Sequence, residues 1–155
     1  MSNSDDFVQN RAFAAVKPFA RLIGDWATES THRLLPGTKL VGHVTFGWIS
    51  GERFVIWKAD NDDPRIPSSL SVVGIMEGDE HLSQQYFDSR GVHRIYRVTF
   101  DGTTLVTERK APGFNQRLHA LLSHDGSMLA GVSQLDANGS GYVDDLSFTY
   151  RRLAP

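Results

Sequence analysis

The side chains best suited to chemistry lie near the middle of the chain and include two tyrosines and two arginines: Tyr86, Arg94, Tyr96 and Arg109. Arg94 and Tyr96 are two residues apart, so their side chains point to the same face if this segment is a strand. A guanidinium and a phenol on one face can hold a carboxylate or a carbonyl oxygen through hydrogen bonds. The spacing therefore predicts a polar anchor for a small molecule more firmly than it predicts any reaction.

Tight turns fix which of these residues face one another. The turn signals are Ser89-Arg90-Gly91, Asp101-Gly102, Pro112-Gly113 and Asp125-Gly126. With a three-residue first turn and two-residue turns after it, the predicted row of facing residues is Tyr86, Arg94, Arg109 and Gln116. The next row is predicted to contain Gln84, Tyr96, Thr107 and Leu118. This face is the more apolar of the two, so we expect it to line an interior.

Two arginines that face each other inside a protein repel unless something separates them. Three arrangements would relieve the repulsion. An acidic side chain such as Asp88 or Asp144 could lie between them, the row could lie at a water-filled mouth, or a ligand carboxylate or carbonyl could accept their hydrogen bonds. The sequence leaves all three open.

Asp88 also raises the question of catalysis. Together with Tyr86 and Arg94 it would form an acid–base set for enolisation or dehydration of a bound ketone. The spacing does not distinguish such a set from a binding site, so no catalytic residue is assigned. A cofactor-independent isomerase, cyclase or lyase is one alternative to a binding protein, and a scaffold with a filled interior that a partner protein recognises is another.

The elements that would position these residues are strands. From residue 26 onward, turn signals arrive at short intervals between runs rich in Val, Ile, Thr and aromatic residues. The pattern predicts an all-β, ten-stranded antiparallel up-and-down barrel over residues 26–152. Residues 7–23 are predicted to form short helices, broken at Pro18, that cap one end. The whole chain, residues 1–155, is expected to be a single domain.

Large apolar side chains on the inward face are predicted to form the walls of a ligand pocket. Trp48 and Trp57 flank the turn at Ser50-Gly51, and Trp26 is expected to plug the barrel floor. The loop from Asp60 to Ser69 is a candidate entrance lid. The predicted ligand-binding set is Trp48, Trp57, Leu82, Gln84, Tyr86, Arg94, Tyr96, Val98, Leu105, Arg109, Gln116 and Phe148.

Composition excludes several classes of function. The net charge is −2 and the basic residues form no run, which argues against nucleic-acid binding and an acidic membrane surface. The chain has no cysteine, so it has no disulfide and no thiolate metal site. Its N-terminus is polar and acidic, which is not typical of a secretory signal, and no apolar run is long enough for a membrane helix. We therefore expect a cytoplasmic protein.

The six histidines show neither HxH nor HExxH spacing, and His93 and His119 fall on the predicted outer face. Nor does any serine lie in a nucleophile-elbow pattern. We predict neither a metal site nor a cofactor.

Several segments resemble known proteins. Leu22-Ile23-Gly24-Asp25-Trp26 followed by Glu29 is similar to the LxGxWxxE opening of bacterial lipocalin-like, ten-stranded barrels related to the nitrobindins and the fatty-acid-binding proteins. The segments Phe46–Phe54, Tyr86–Val92 and Asp144–Arg152 resemble recurring blocks of one bacterial branch of these proteins.

The resemblance implies a calycin-type barrel that holds a hydrophobic molecule, such as a fatty acid, steroid, terpenoid or polyketide, and that can pair as a homodimer through an outer face. Nitrobindins bind haem through a histidine near the C-terminus, but this chain has no histidine after His124. Haem is therefore not expected. Fatty-acid-binding proteins hold a carboxylate with an Arg-x-Tyr arrangement, which Arg94-Ile95-Tyr96 resembles on a different strand.

Overall fold

Ten antiparallel strands close into a barrel in the computed structural model, which describes residues 3–155. Met1 and Ser2, the first residues of the predicted polar N-terminus, lie outside the described residues. The strands are β1 (Gly24–His32), β2 (Leu40–Trp48), β3 (Val55–Asn61), β4 (Ser69–Ile75), β5 (Leu82–Asp88), β6 (His93–Phe100), β7 (Thr104–Arg109), β8 (Asn115–Leu122), β9 (Met128–Asp136) and β10 (Val143–Arg152).

Each strand pairs with its neighbours in the chain, and β1 also pairs with β10 to close the ring. Closure gives each strand a neighbour on both sides, so no strand among residues 3–155 lies at the edge of an open sheet. The prediction of an all-β, ten-stranded up-and-down barrel is confirmed. The strands begin at Gly24, two residues before the predicted start, and end at Arg152 as predicted.

The N-terminal segment covers one end of the barrel, as predicted. It consists of α1 (Asn3–Val16) and a 3₁₀ helix (Lys17–Arg21), and the break between them falls next to Pro18. The helix begins four residues before the predicted boundary, because Asp5 and Asp6 occupy its first turn, where acidic side chains favour a helix. We call the covered end the floor and the opposite end the mouth.

The floor is closed by aromatic packing and by backbone contacts. Phe19 and Phe100 meet edge to face, with ring centroids 5.1 Å apart. Trp26 is fully buried, and its indole nitrogen donates a hydrogen bond to the Leu22 carbonyl at 2.9 Å. Arg21 donates to the carbonyl oxygens of residues 102, 123 and 124, in two turns of the floor. The expectation that Trp26 plugs the floor is confirmed.

The strand register confirms most of the predicted pairs. Tyr86 opposes Arg94, and Gln84 opposes Tyr96. In the next hairpin Arg109 opposes Gln116, as predicted.

The predicted pairing of Arg94 with Arg109 is wrong. Phe100 pairs with Leu105, so four residues form the β6–β7 turn instead of two. Asp101 causes the longer turn, because its Oδ1 accepts hydrogen bonds from the backbone nitrogens of Thr103 and Thr104 at 2.8 and 2.7 Å. The shift of two residues keeps Arg109 on the inner face but leaves it level with Tyr96 rather than with Arg94.

The predicted inward position of Asp144 is also wrong. The β9–β10 ladder shifts between Asp144 and Leu146, which makes Asp145 the extra residue of a β-bulge. Asp144 consequently pairs with the outward Gln134, whose amide nitrogen donates to its carboxylate at 2.7 Å. After the bulge, Leu146, Phe148 and Tyr150 return to the inner face.

Candidate functional site

The inner face of the barrel has a polar wall and a mainly apolar wall. Strands β4 to β8 supply most of the inward polar side chains, whereas β9, β10 and β2 supply mainly apolar ones. The inward polar set of the first wall is Ser69, Ser71, Gln84, Tyr86, Asp88, Arg94, Tyr96, Thr107, Arg109 and Gln116. An amphipathic molecule fits an interior of this kind better than a purely apolar one does.

The predicted ligand-binding residues separate by depth. Leu82, Val98 and Leu105 lie in the packed core near the floor and retain almost no accessible surface. Trp48 also lies near the floor, partly buried against this core. These four residues stabilise the barrel below the polar wall rather than lining its upper part.

The other predicted residues lie higher in the barrel. Gln84, Trp57 and Phe148 are buried, and Trp57 and Phe148 pack in the same core cluster as Leu82. Tyr86, Arg94, Tyr96, Arg109 and Gln116 point inward and remain partly exposed. Inward side chains with accessible surface border space inside the barrel or at its mouth.

Tyr150 belongs to the apolar wall and packs against the core of the barrel. Its ring lies 4.9 Å from that of Phe148, and its hydroxyl interacts with the Trp57 side chain. Burial raises the pKa of Tyr150, yet the residue keeps accessible surface. The Phe46 ring supports this wall, 5.0 Å from that of Trp57.

A chain of hydrogen bonds links Tyr86, Asp88 and Arg90 and runs from the polar wall to the mouth. The Tyr86 hydroxyl donates to Asp88 Oδ2 at 2.8 Å, and Arg90 binds the same carboxylate through its Nη2 at 2.7 Å. The Asp88 side chain is 0% exposed. The Arg90 hydrogen bonds and then the Tyr86 hydroxyl hold the pKa of Asp88 well below its usual range, so the group is a carboxylate. Burial and the Asp88 hydrogen bond raise the pKa of Tyr86.

Two further hydrogen bonds fix side chains of the same wall. The Gln84 amide nitrogen donates to Ser71 Oγ at 2.9 Å, and this pair is buried. The Tyr96 hydroxyl donates to Gln116 Oε1 at 3.2 Å. The Tyr86 and Tyr96 rings meet edge to face, with centroids 6.1 Å apart. The polar wall is therefore ordered by its own contacts.

The two inward arginines contact the loop between β7 and β8. The guanidinium of Arg94 lies over the Phe114 ring, 5.4 Å from its centroid. Arg109 donates to the Phe114 carbonyl oxygen at 3.3 Å. Within residues 3–155 neither arginine forms an ion pair, since Asp88 is bound by Arg90 and Asp144 points outward. Their cationic groups are available to an anion at the mouth.

The loop between β3 and β4, predicted as an entrance lid, lies at the mouth. It spans residues 62–68, because Asp60 and Asn61 belong to β3. Arg65 Nη2 forms a salt bridge with Asp63 Oδ2 at 2.6 Å, and the Ser68 backbone nitrogen donates to Ser89 Oγ at 3.1 Å. The loop thus contacts the turn that carries Arg90.

Sequence reasoning left four contributors out of the predicted set. Tyr150 was not among the predicted site residues, and Asp88 was considered only between the arginines or as part of an acid–base set. Ser71 follows from strand alternation, two residues before Val73. Phe114 had no signal, because it follows the Pro112-Gly113 turn and its contact with Arg94 depends on tertiary structure.

Two further results concern the described residues, 3–155. No cluster of three or more histidine, aspartate or glutamate side chains among them is arranged to hold a metal ion. None of their helices combines the length and the apolar character needed to cross a membrane.

No protein-family model matches this chain, and no curated protein matches its sequence. Solved structures with a similar fold include Rv2717c from M. tuberculosis, with a TM-score of 0.62 and 15% identity, over 90% of this chain and 98% of that one. Another is the S-type phycobiliprotein lyase CPES from Guillardia theta, with a TM-score of 0.56 and 11% identity, over 95% of this chain and 97% of that one.

These similarities fit a lipocalin-like, calycin-type barrel. At such low identities they establish the fold alone. The relation to nitrobindins and fatty-acid-binding proteins stays a prediction.

Proposed function

We propose that this protein binds a small amphipathic molecule inside the barrel, with the apolar body against Trp57, Phe148 and Tyr150 and an acidic or carbonyl group at Arg94 and Arg109. Fatty acids, steroids, terpenoids and polyketides all have apolar bodies of this kind. The observation that carries the proposal is the pair of inward arginines without an acidic partner above a wall of ordered polar side chains.

The energetics of the arginines support this assignment. A cationic group that points into a barrel loses part of its hydration, which costs free energy. None of the described side chains forms an ion pair with Arg94 or Arg109 that would offset this cost. A ligand anion would do so, through charge-assisted hydrogen bonds. The aromatic contact of Arg94 with Phe114 holds the guanidinium in place without using its N–H donors.

Catalysis is the weaker alternative. A general base needs a free lone pair and a pKa near the working pH. Asp88 has neither, because Arg90 and Tyr86 occupy its carboxylate and lower its pKa. The fold similarity to a phycobiliprotein lyase adds no residue that would perform a reaction here.

Native mass spectrometry of the protein purified from its own host tests the proposal directly. We expect an organic molecule to be retained, and an ultraviolet–visible spectrum of the same sample would identify haem if that were the ligand. Complete absence of a bound molecule in this preparation would count against a tightly held ligand.

A second test uses a defined probe. Isothermal titration with dodecanoate should give at least about tenfold weaker binding to the Arg94→Met variant than to the wild type. Arg97→Met is the matched control, because Arg97 lies on the same strand but points outward. Dodecan-1-ol, which lacks the acidic group, is titrated as well. The proposal fails if neither dodecanoate nor dodecan-1-ol binds the wild type, or if Arg94→Met and Arg97→Met lose affinity for dodecanoate equally.

A further inference from the structure

We propose that the ligand of this barrel carries a hydroxyl group next to its acidic group, so that its polar end is that of a hydroxy acid. This inference rests on the proposed function and names the chemical class of its ligand. It follows from which atoms of the polar wall donate hydrogen bonds and which are left to accept them.

Tyr86 can only accept a hydrogen bond from a ligand. Its single hydroxyl proton is directed at Asp88 Oδ2, 2.8 Å away. Arg90 holds that carboxylate in place with both Nε and Nη2, and Asp88 stays ionised because its pKa is lowered. The Tyr86 proton therefore has a permanent acceptor, and the phenol presents an oxygen lone pair to the interior.

The neighbouring side chains have the same polarity. Tyr96 donates its hydroxyl proton to Gln116 Oε1. Gln84 donates one amide proton to Ser71, so its Oε1 is left as an acceptor beside the second amide proton. Three oxygen atoms of the β5–β6 wall thus offer lone pairs, and a ligand group that touches them has to be a hydrogen-bond donor.

The mouth has the opposite polarity. The Arg94 guanidinium carries only donors, and it lies over the Phe114 ring without an ion pair to any side chain of residues 3–155. Gln116 accepts from Tyr96 through Oε1, so its amide nitrogen is left to donate. A ligand group at this level has to be an acceptor, and a carboxylate satisfies both the geometry and the charge.

The acceptor at Tyr86 and the donors at Arg94 belong to neighbouring positions of the sheet. Tyr86 and Arg94 are directly opposite each other in the β5–β6 ladder. Side chains at such positions start about 4.5–5.5 Å apart at their β-carbons. Because the two side chains extend from directly opposite positions, the proposal places the donor and the anion close together on one ligand, and a 2-hydroxy acid is the simplest such arrangement.

Three twelve-carbon probes test the inference by isothermal titration: 2-hydroxydodecanoate, dodecanoate and 2-methoxydodecanoate. The wild type is expected to bind the hydroxy acid about tenfold more tightly than the other two, because only the hydroxyl can donate to Tyr86. In Tyr86→Phe the preference for the hydroxy acid over dodecanoate and 2-methoxydodecanoate should disappear. Tyr142→Phe is the matched control, since Tyr142 lies on the outer surface against Arg117.

The outcomes separate the two proposals. Equal affinity for the three probes, or a preference that survives in Tyr86→Phe, overturns the hydroxyl requirement but leaves the binding pocket intact. A failure of all three probes to bind overturns both. Asp88 remains bound by Arg90 in the variant, and circular dichroism and thermal melting confirm that each variant is folded before titration.

Discussion

The guanidinium of Arg152 lies over the ring of Trp26, 4.3 Å from its centroid. These residues face each other across the β1–β10 ladder that closes the barrel. Arg152 also donates to the carbonyl oxygens of Arg21, Ile23 and Gly126. One side chain therefore joins the first strand, the last strand, the 3₁₀ helix and a turn of the floor.

Replacing Arg152 by alanine should lower the free energy of unfolding by about 3 kcal/mol, because it removes the hydrogen bonds to three carbonyl oxygens, two of them partly buried, and the cation–π contact. Urea denaturation at pH 7 measures the loss. Arg151→Ala is the control, since Arg151 is the exposed neighbour on the outer face. Equal losses in the two variants would show that Arg152 does not hold the floor together.

Replacing Asp88 by asparagine should reduce stability in a pH-dependent way. The folded-state pKa of Asp88 lies below its usual value of about 3.9, so its contribution is complete above about pH 4 and is lost as the pH falls toward the folded-state pKa. We expect the variant to be about 1–2 kcal/mol less stable than the wild type at pH 7. The difference should narrow between pH 4 and pH 2.

Urea denaturation across that pH range provides the measurement. Asp60→Asn, at an exposed position of β3, is the comparison variant and should follow the wild-type curve. A constant difference between Asp88→Asn and the wild type at every pH would mean that the carboxylate charge is not what stabilises this position.

Replacing Arg94 by methionine should leave the ligand-free protein as stable as the wild type or stabilise it by up to about 1 kcal/mol. The substitution removes an inward cation that has no ion pair, and methionine fills similar space. Arg94 would then favour ligand binding while lowering the stability of the ligand-free protein. Thermal melting of delipidated protein tests this, and a loss above about 1 kcal/mol would reveal a structural role for Arg94.

Replacing Gly131 by alanine should destabilise the barrel by at least about 2 kcal/mol. A β-carbon there would lie 2.3 Å from the His119 carbonyl oxygen and 2.6 Å from the Ala120 β-carbon, too close without backbone movement. Gly47→Ala is the matched control, because nothing lies within 4 Å of a β-carbon at that strand position. Similar melting temperatures for both variants would contradict the close approach of β8 and β9.

Strand alternation explains why so much of the inner face was predictable. A tight turn preserves the side-chain parity of its hairpin, so Tyr86 and Gln84 were placed correctly from the turn at Ser89-Arg90-Gly91. The turn at Asp101 is longer than predicted, but each residue still lies on the predicted face, because a register shift of two residues preserves the alternation of side chains. Arg109 therefore remained inward although its partner was wrong.

Two kinds of information were absent from the pattern. Asp101 caps its own turn and Asp145 forms a bulge, and neither event changes the sequence periodicity on which the predictions depended. The position of each residue between the floor and the mouth was also not indicated by the sequence pattern. Alternation indicates which face Leu105 is on but not that it lies in the packed core near the floor, whereas Tyr86 lies near the mouth.

The β1–β10 ladder has a consequence for how the protein is made. All other ladders join strands that follow each other in the chain, whereas this one joins segments separated by most of its length. Pairing of distant segments has the largest entropic penalty and forms late in folding. During synthesis the barrel can therefore close only after β10 has been made, because β1 has no other strand to complete the ring.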